Sequence, residues 1–240
     1  MTQHHETLRT VNDERFLSTI VFSDETTFHV CVQVHRHNVR VWAAENPRAY
    51  VEYKRNTPKV NVWCALMHDK VIGPFFFAEP TVTSNIYLGM LQLYAVPQFP
   101  EGVIFQQEGA PPHYGNIVCE FLNTAFPQRL MGRGDVMAWP PRSPDLTSLG
   151  FYLWGYVKQH VYSERINVIN NLKQRITDVI HSVAPNDRTR VWEELDYSLG
   201  VCMATNGEHI ELRLTGLQTW RVFLLFGEDV IRLSCFVAFL

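Results

Sequence analysis

The chain has 240 residues, of which 46% are hydrophobic, 19% charged and 12% aromatic. This composition excludes a disordered or low-complexity chain and supplies enough apolar material for one large globular domain. A formal net charge of −3 argues against a stand-alone, tight DNA binder, which needs a basic excess, while leaving room for a local basic groove.

Residues 1–15 read as a polar lead-in without the apolar core of a secretory signal. Leu17 to Asp24 is short, apolar and β-branched, which predicts a buried strand. Thr26 to Val34 alternates and predicts its hairpin partner. Asn38 to Trp42 predicts a further strand, and Val60 to Met67 and Val71 to Phe77 predict a pair around a turn at His68-Asp-Lys70. Ser84 and Asn85 are candidate caps for a helix with Tyr87, Met90, Leu91 and Tyr94 on one face. Val103 to Gln107 predicts the next strand. His113 to Phe126 predicts a helix with Tyr114, Ile117, Val118, Phe121, Leu122 and Ala125 on its apolar stripe. The loop from Gln128 to Pro144 contains one short apolar stretch, Val136 to Trp139, that suits an edge strand. Further helices are predicted from Thr147 to about His160, from Val168 to Val183, and after Pro185-Asn-Asp187. Strands come first, then one strand between helices, then helices, an order that predicts an α+β or mixed-sheet α/β domain.

No apolar run reaches membrane-spanning length, and Arg221, Glu228, Asp229 and Arg232 interrupt the apolar C-terminal stretch. The five cysteines form no C-x-x-C pair, which predicts packing thiols in a reduced intracellular protein rather than a zinc site.

Two predicted strands end in acids: Asp24 after Ile20-Val-Phe-Ser, and Glu108 after Val103-Ile-Phe-Gln-Gln. Phosphodiester chemistry of the two-metal kind needs carboxylates from distant segments to hold Mg²⁺ or Mn²⁺ ions about 3.5–4 Å apart. Strand ends and a helix N-terminus are rigid mounts for such groups, and the helix beginning near Thr147 is the third expected mount.

Three motifs carry a resemblance. Ser23-Asp24-Glu25, Phe105-Gln-Gln-Glu-Gly-Ala-Pro-Pro-His113 and Ser143-Pro-Asp-Leu-Thr-Ser-Leu-Gly150 resemble the three acid motifs of mariner-type DDE/D transposases. Asn61-Val-Trp-Cys-Ala65, Phe151-Tyr-Leu-Trp154 and the Cys202, Gly207, His209, Glu211 spacing also match that family's pattern, so the resemblance covers roughly residues 12–211. It implies a ribonuclease-H-like mixed five-stranded sheet flanked by helices over residues 16–211, with a lead-in at 1–15 and an atypical apolar tail at 212–240. It implies metal-dependent DNA cleavage and strand transfer, with Asp24 and Glu108 as catalytic metal ligands and Mg²⁺ or Mn²⁺ as cofactor. It further implies DNA as partner, a possible homodimer, and a nuclear or cytoplasmic, non-membrane location. Family members carry N-terminal helix-turn-helix modules, and the expectation is that this chain starts after them.

The chain departs from that pattern at two of the three acids. Glu108 stands where the family has Asp, one CH₂ longer. Gly150 stands where the family has the third acid, inside a helix, where Gly costs about 1 kcal/mol relative to Ala. Asp145 is a weak substitute, since in the family the equivalent Asp coexists with the catalytic acid. Glu25 should face away from Asp24, because neighbouring strand side chains point to opposite faces. For His113 a packing role and a phosphate contact are both open, as they are for Arg129, Arg133 and Arg142 in the loop. Lys158, Arg165, Lys173 and Arg175 read as solvated helix faces, and Trp139 and Trp154 as core. The first expectation is therefore a transposase-derived, nucleic-acid-binding domain with impaired catalysis. The alternatives are an active nuclease using Asp24 and Glu108, and a non-catalytic interaction module.

Overall fold

The computed structural model describes residues 14–30, 57–132, 137–138 and 146–204. Helix α1 (Glu14–Ser18) leads into strand β1 (Ile20–His29). β1 runs unbroken through Asp24-Glu25, which corrects the expected hairpin at Thr26–Val34. No Gly, Pro or Asn stands at 24–27 to reverse the chain. Residues Phe22 to His29 instead pair antiparallel with β2 (Lys59–Leu66). The strand predicted at Asn38–Trp42 lies outside the described residues.

The predicted hairpin between β2 and β3 (Val71–Phe76) forms. Gly73 sits in it at φ 116, and a Cβ there would lie 3.1 Å from Cys64 Sγ, so only Gly suits this close approach. Strands β4 (Ile104–Gln106) and β5 (Leu130–Gly132) add in parallel beyond β1, and the two-residue β6 (Met137–Ala138) forms the edge. The order is β3-β2-β1-β4-β5-β6. This is the mixed sheet flanked by helices that the resemblance implies, five strands with β6 as a short sixth.

Helix α2 (Ser84–Met90) continues into a π-helical turn at Leu91–Ala95 and a 3-10 turn at Val96–Gln98. Its cap is Thr83, one residue before the expected Ser84, and the Thr83 side chain accepts from the Ile86 amide. Helix α3 (Asn116–Ala125) begins later than predicted. Pro111 and Pro112 lack amide hydrogens, and the chain makes a 3-10 turn at Pro111–Tyr114 before the helix starts. A π-helical turn at Leu149–Leu153 leads into α4 (Trp154–Val161), followed by α5 (Ile169–His181) and α6 (Pro185–Ala204).

The strand pleat sorts the core into two layers. Ile20, Phe22 and Phe28 of β1 and Val60, Val62, Cys64 and Leu66 of β2 face a cluster completed by Leu149, Leu153, Val157, Leu172, Ile176 and Trp192. Val21, Trp63, Ala65 and Phe105 face the opposite cluster, with Tyr87 of α2, Leu91 of the π-helical turn after it, and Val118 and Leu122 of α3. Each fully buried Leu or Phe contributes roughly 1.5–3 kcal/mol over an exposed one, so the sheet is fixed from both sides. Within α3 the apolar stripe is only half covered: Val118 and Leu122 are buried, while Ile117 is 40% exposed.

Candidate active site

β1 and β4 are parallel, with Ile20 beside Ile104, Val21 beside Phe105 and Phe22 beside Gln106. Carried two residues further, that register sets Asp24 beside Glu108, both past the last parallel pair and on the same face of the sheet. Adjacent strands lie about 4.8 Å apart, so two carboxylates in such register meet. They lie close enough for the Asp24 side chain to act on the Glu108 carboxyl. The Glu108 side chain as a whole is exposed, yet its carboxyl is raised to about 9 by loss of water, by the hydrogen bond to Asp24, and by the charges of Asp24 and Glu25. Lost hydration and neighbouring negative charge both favour the protonated form of Glu108.

Asp24 is held from several sides. Its Oδ1 accepts from the Glu25 amide at 2.6 Å, and its Oδ2 accepts from the Trp154 indole N–H at 2.8 Å. Across the sheet it stands opposite Cys64 of β2, whose buried thiol is pushed up by burial and by the Asp24 charge. The Lys158 ammonium, one turn beyond Trp154 on α4, lies 5.9 Å from the Phe28 ring. Its pKa is lowered by burial, against an opposing pull from Asp24.

Glu25 points to the other face, as strand alternation requires, and is an ion-pairing acid. Both its carboxylate oxygens lie against His113 Nε2, at 2.9 and 3.1 Å. His113 Nδ1 donates to the Glu108 carbonyl at 2.9 Å, and the ring stacks on Tyr87 at 4.1 Å. A carbonyl and a carboxylate both only accept, so the ring donates from both nitrogens and is an imidazolium. Burial lowers the His113 pKa, but the hydrogen bond and charge of Glu25, aided by the Glu108 carbonyl, raise it above the ordinary value overall. The ring is 1% exposed. Of the two roles left open for His113, this burial supports packing: the residue ties β1 to the chain after β4. Gly115 helps seat that segment, since a Cβ there would strike Ser84, whose hydroxyl donates to the Pro112 carbonyl at 2.8 Å.

The other expected contacts divide. Arg129 donates to the Val103 carbonyl at 2.9 Å and covers the Phe126 ring, a structural staple rather than a phosphate contact. Arg175 donates to Glu164 at 2.6 Å and to two carbonyls, and Lys173 covers Phe76, so neither is simply a solvated face. Arg133, Arg142, Trp139 and Asp145 lie outside the described residues. Sequence reasoning missed the indole contact to Asp24. Trp154 follows Gly150 by four residues, one helical turn, and that spacing was its only available signal.

No family model matches this chain, and no curated protein sequence does. Solved structures do. The chain superposes on the crystal structure of a pre-cleavage Mos1 transpososome with a TM-score of 0.66 at 19% identity, over 88% of this chain and 64% of that one. On the crystal structure of the catalytic domain of Mos1 mariner transposase the TM-score is 0.59 at 17% identity, over 88% and 93%. On the Mos1 catalytic domain with Raltegravir and Mn it is 0.63 at 18% identity, over 88% and 94%. The chain has the ribonuclease-H-like fold of the Mos1 catalytic domain. It spans nearly all of that domain but just under two thirds of the Mos1 chain in the transpososome.

Mos1 catalytic-domain structures include forms with Mn and with Mg. Here the donor set decides the fit. Asp24 and Glu108 offer hard carboxylate oxygens in mutual contact, which suits one such ion. Among the described residues, no group of three or more His, Cys, Asp or Glu side chains gathers to hold a metal. Glu25 is taken up by His113 on the opposite face, and position 150 is an exposed glycine. Among the described residues, the donor set would suit a single Mg²⁺ or Mn²⁺ completed by water and holds no third carboxylate for a second ion.

Proposed function

We propose that this chain is a transposase-derived domain that acts on DNA through a single-ion acid site, with strand cleavage and transfer impaired. The observation that carries the reading is the register of β1 and β4. It sets Asp24 against Glu108 at the strand ends, while Gly150 occupies the helix position that the third motif assigns to an acid. Asp24 and Glu108 would hold the ion, Glu108 giving up its proton on binding. The bound ion would polarise a phosphoryl oxygen of the DNA backbone. Asp24 is kept in one rotamer by its two N–H donors, whereas Glu108 is one CH₂ longer than the family's residue and holds its oxygen less firmly. Gly150 brings no side-chain oxygen, so the described residues would leave a second ion without its third carboxylate.

The pre-cleavage and paired-end complexes of Mos1 support DNA as the substrate class. A purified-protein nicking assay on supercoiled plasmid with Mg²⁺ or Mn²⁺ tests this reading. The wild-type chain should nick slowly or not at all, and Glu108→Asp with Gly150→Asp should raise the rate by about 100-fold. Efficient wild-type nicking that Asp24→Ala abolishes and the double change leaves unaltered would overturn the impairment.

A further inference from the structure

An indole N–H can only donate, and a buried one needs an acceptor. Trp154 is 6% exposed, and its N–H goes to Asp24 Oδ2 at 2.8 Å. The indole is itself fixed, edge-on to Phe28 at 6.2 Å between ring centres. The Glu25 amide holds the other oxygen, Oδ1. Two donors on two different oxygens determine both torsions of the Asp24 side chain, and each oxygen keeps a lone pair for a further partner. Without them, the Asp24 carboxylate would be free to rotate about its side-chain torsions. The helix that lacks an acid at position 150 thus still reaches the site, one turn later.

We propose that Trp154 is the positioning residue of this site: its indole N–H pins Asp24 Oδ2 and so sets the affinity for a divalent cation shared with Glu108. The inference rests on the reading of Asp24 and Glu108 as ion ligands. Hydrogen-bond partners of metal ligands typically govern affinity by 10–100-fold. Phe at this position keeps an aromatic ring against Phe28 and removes only the donor.

The test is a Mn²⁺ titration of the full chain, reading free Mn²⁺ by electron paramagnetic resonance, for wild type, Trp154→Phe and Asp24→Asn. Trp154→Phe should weaken binding by about tenfold or more while still melting cooperatively, and Asp24→Asn should abolish it. In a ¹H–¹⁵N spectrum, the indole resonance that Trp154→Phe deletes should shift in Asp24→Asn and broaden when Mn²⁺ is added to wild type. Wild-type affinity in Trp154→Phe alongside loss in Asp24→Asn overturns the role of Trp154 and leaves the ion site standing. Unchanged affinity in Asp24→Asn, or no Mn²⁺ binding by wild type, overturns both. Should Trp154→Phe fail to fold, an indole resonance that saturating Mn²⁺ leaves sharp overturns the inference by itself.

Discussion

Asp24, Glu25, Glu108 and His113 act on one another's charges, so the protein carries those charges in a pH-dependent way. Glu108 is raised to about 9 and His113 is also raised, so both hold protons more tightly folded than unfolded. The stability they contribute is fully present below their unfolded values, about 4.3 for Glu and 6.5 for His, and is lost as pH rises through the folded ones. In chelator, the melting midpoint should fall as pH goes from about 5 to about 9. Glu108→Gln should remove most of that slope, and a wild-type midpoint flat across the range would contradict it. The Glu25–His113 pair makes a separate prediction. Glu25→Ala leaves a buried imidazolium without its partner and should cost about 2–3 kcal/mol in urea unfolding. At this scale the two acids were legible from motif spacing, because strand-end carboxylates before Gly and Pro leave a pattern in the chain. The roles of Trp154 and His113 were not, because an indole N–H and an imidazole choose partners 130 and 88 residues away.

Elements are where the chain departs from the family pattern with a measurable effect on stability. Gly150 is exposed within the turn that opens α4, so Gly150→Ala should stabilise the protein by about 0.5–1 kcal/mol, read as a raised urea midpoint. A destabilised Gly150→Ala would mean that the site needs the bare backbone there. Helices α3 to α6 were predictable from apolar periodicity, since Val118, Leu122, Leu153, Val157, Leu172, Ile176, Ile180, Val191, Leu195 and Leu199 are buried at the expected intervals. β1 was mispredicted as two strands for a physical reason. Alternation identifies extended chain, but Gly, Pro or Asn most clearly marks where it reverses, and β1 has none of these at its centre. The 3-10 turn before α3 was hidden because Pro-Pro is equally compatible with a helical first turn.

The whole molecule depends on both faces of one sheet. Leu153 is fully buried on the face shared by β1, α4 and α5, and Leu153→Ala should cost about 2–5 kcal/mol by denaturant unfolding. That loss should also weaken Mn²⁺ binding, because it loosens the helix that carries Trp154. At ten times its dissociation constant, Mn²⁺ should stabilise the wild-type chain by about 1.4 kcal/mol, measured as the difference between melts with and without chelator. From composition, periodicity and motifs, the chain by itself determined a globular domain of α+β or mixed-sheet α/β class, its later helices, and two acids set at strand ends. Those are local properties, recorded in spacings of two, three and four residues. Only the tertiary structure decided that β1 lies parallel to β4, that Asp24 meets Glu108, and that Glu25 is spent on His113 while Trp154 reaches Asp24. Such pairings join segments some 80 to 130 residues apart, and register between distant strands is set by the packing of both faces rather than by any local pattern.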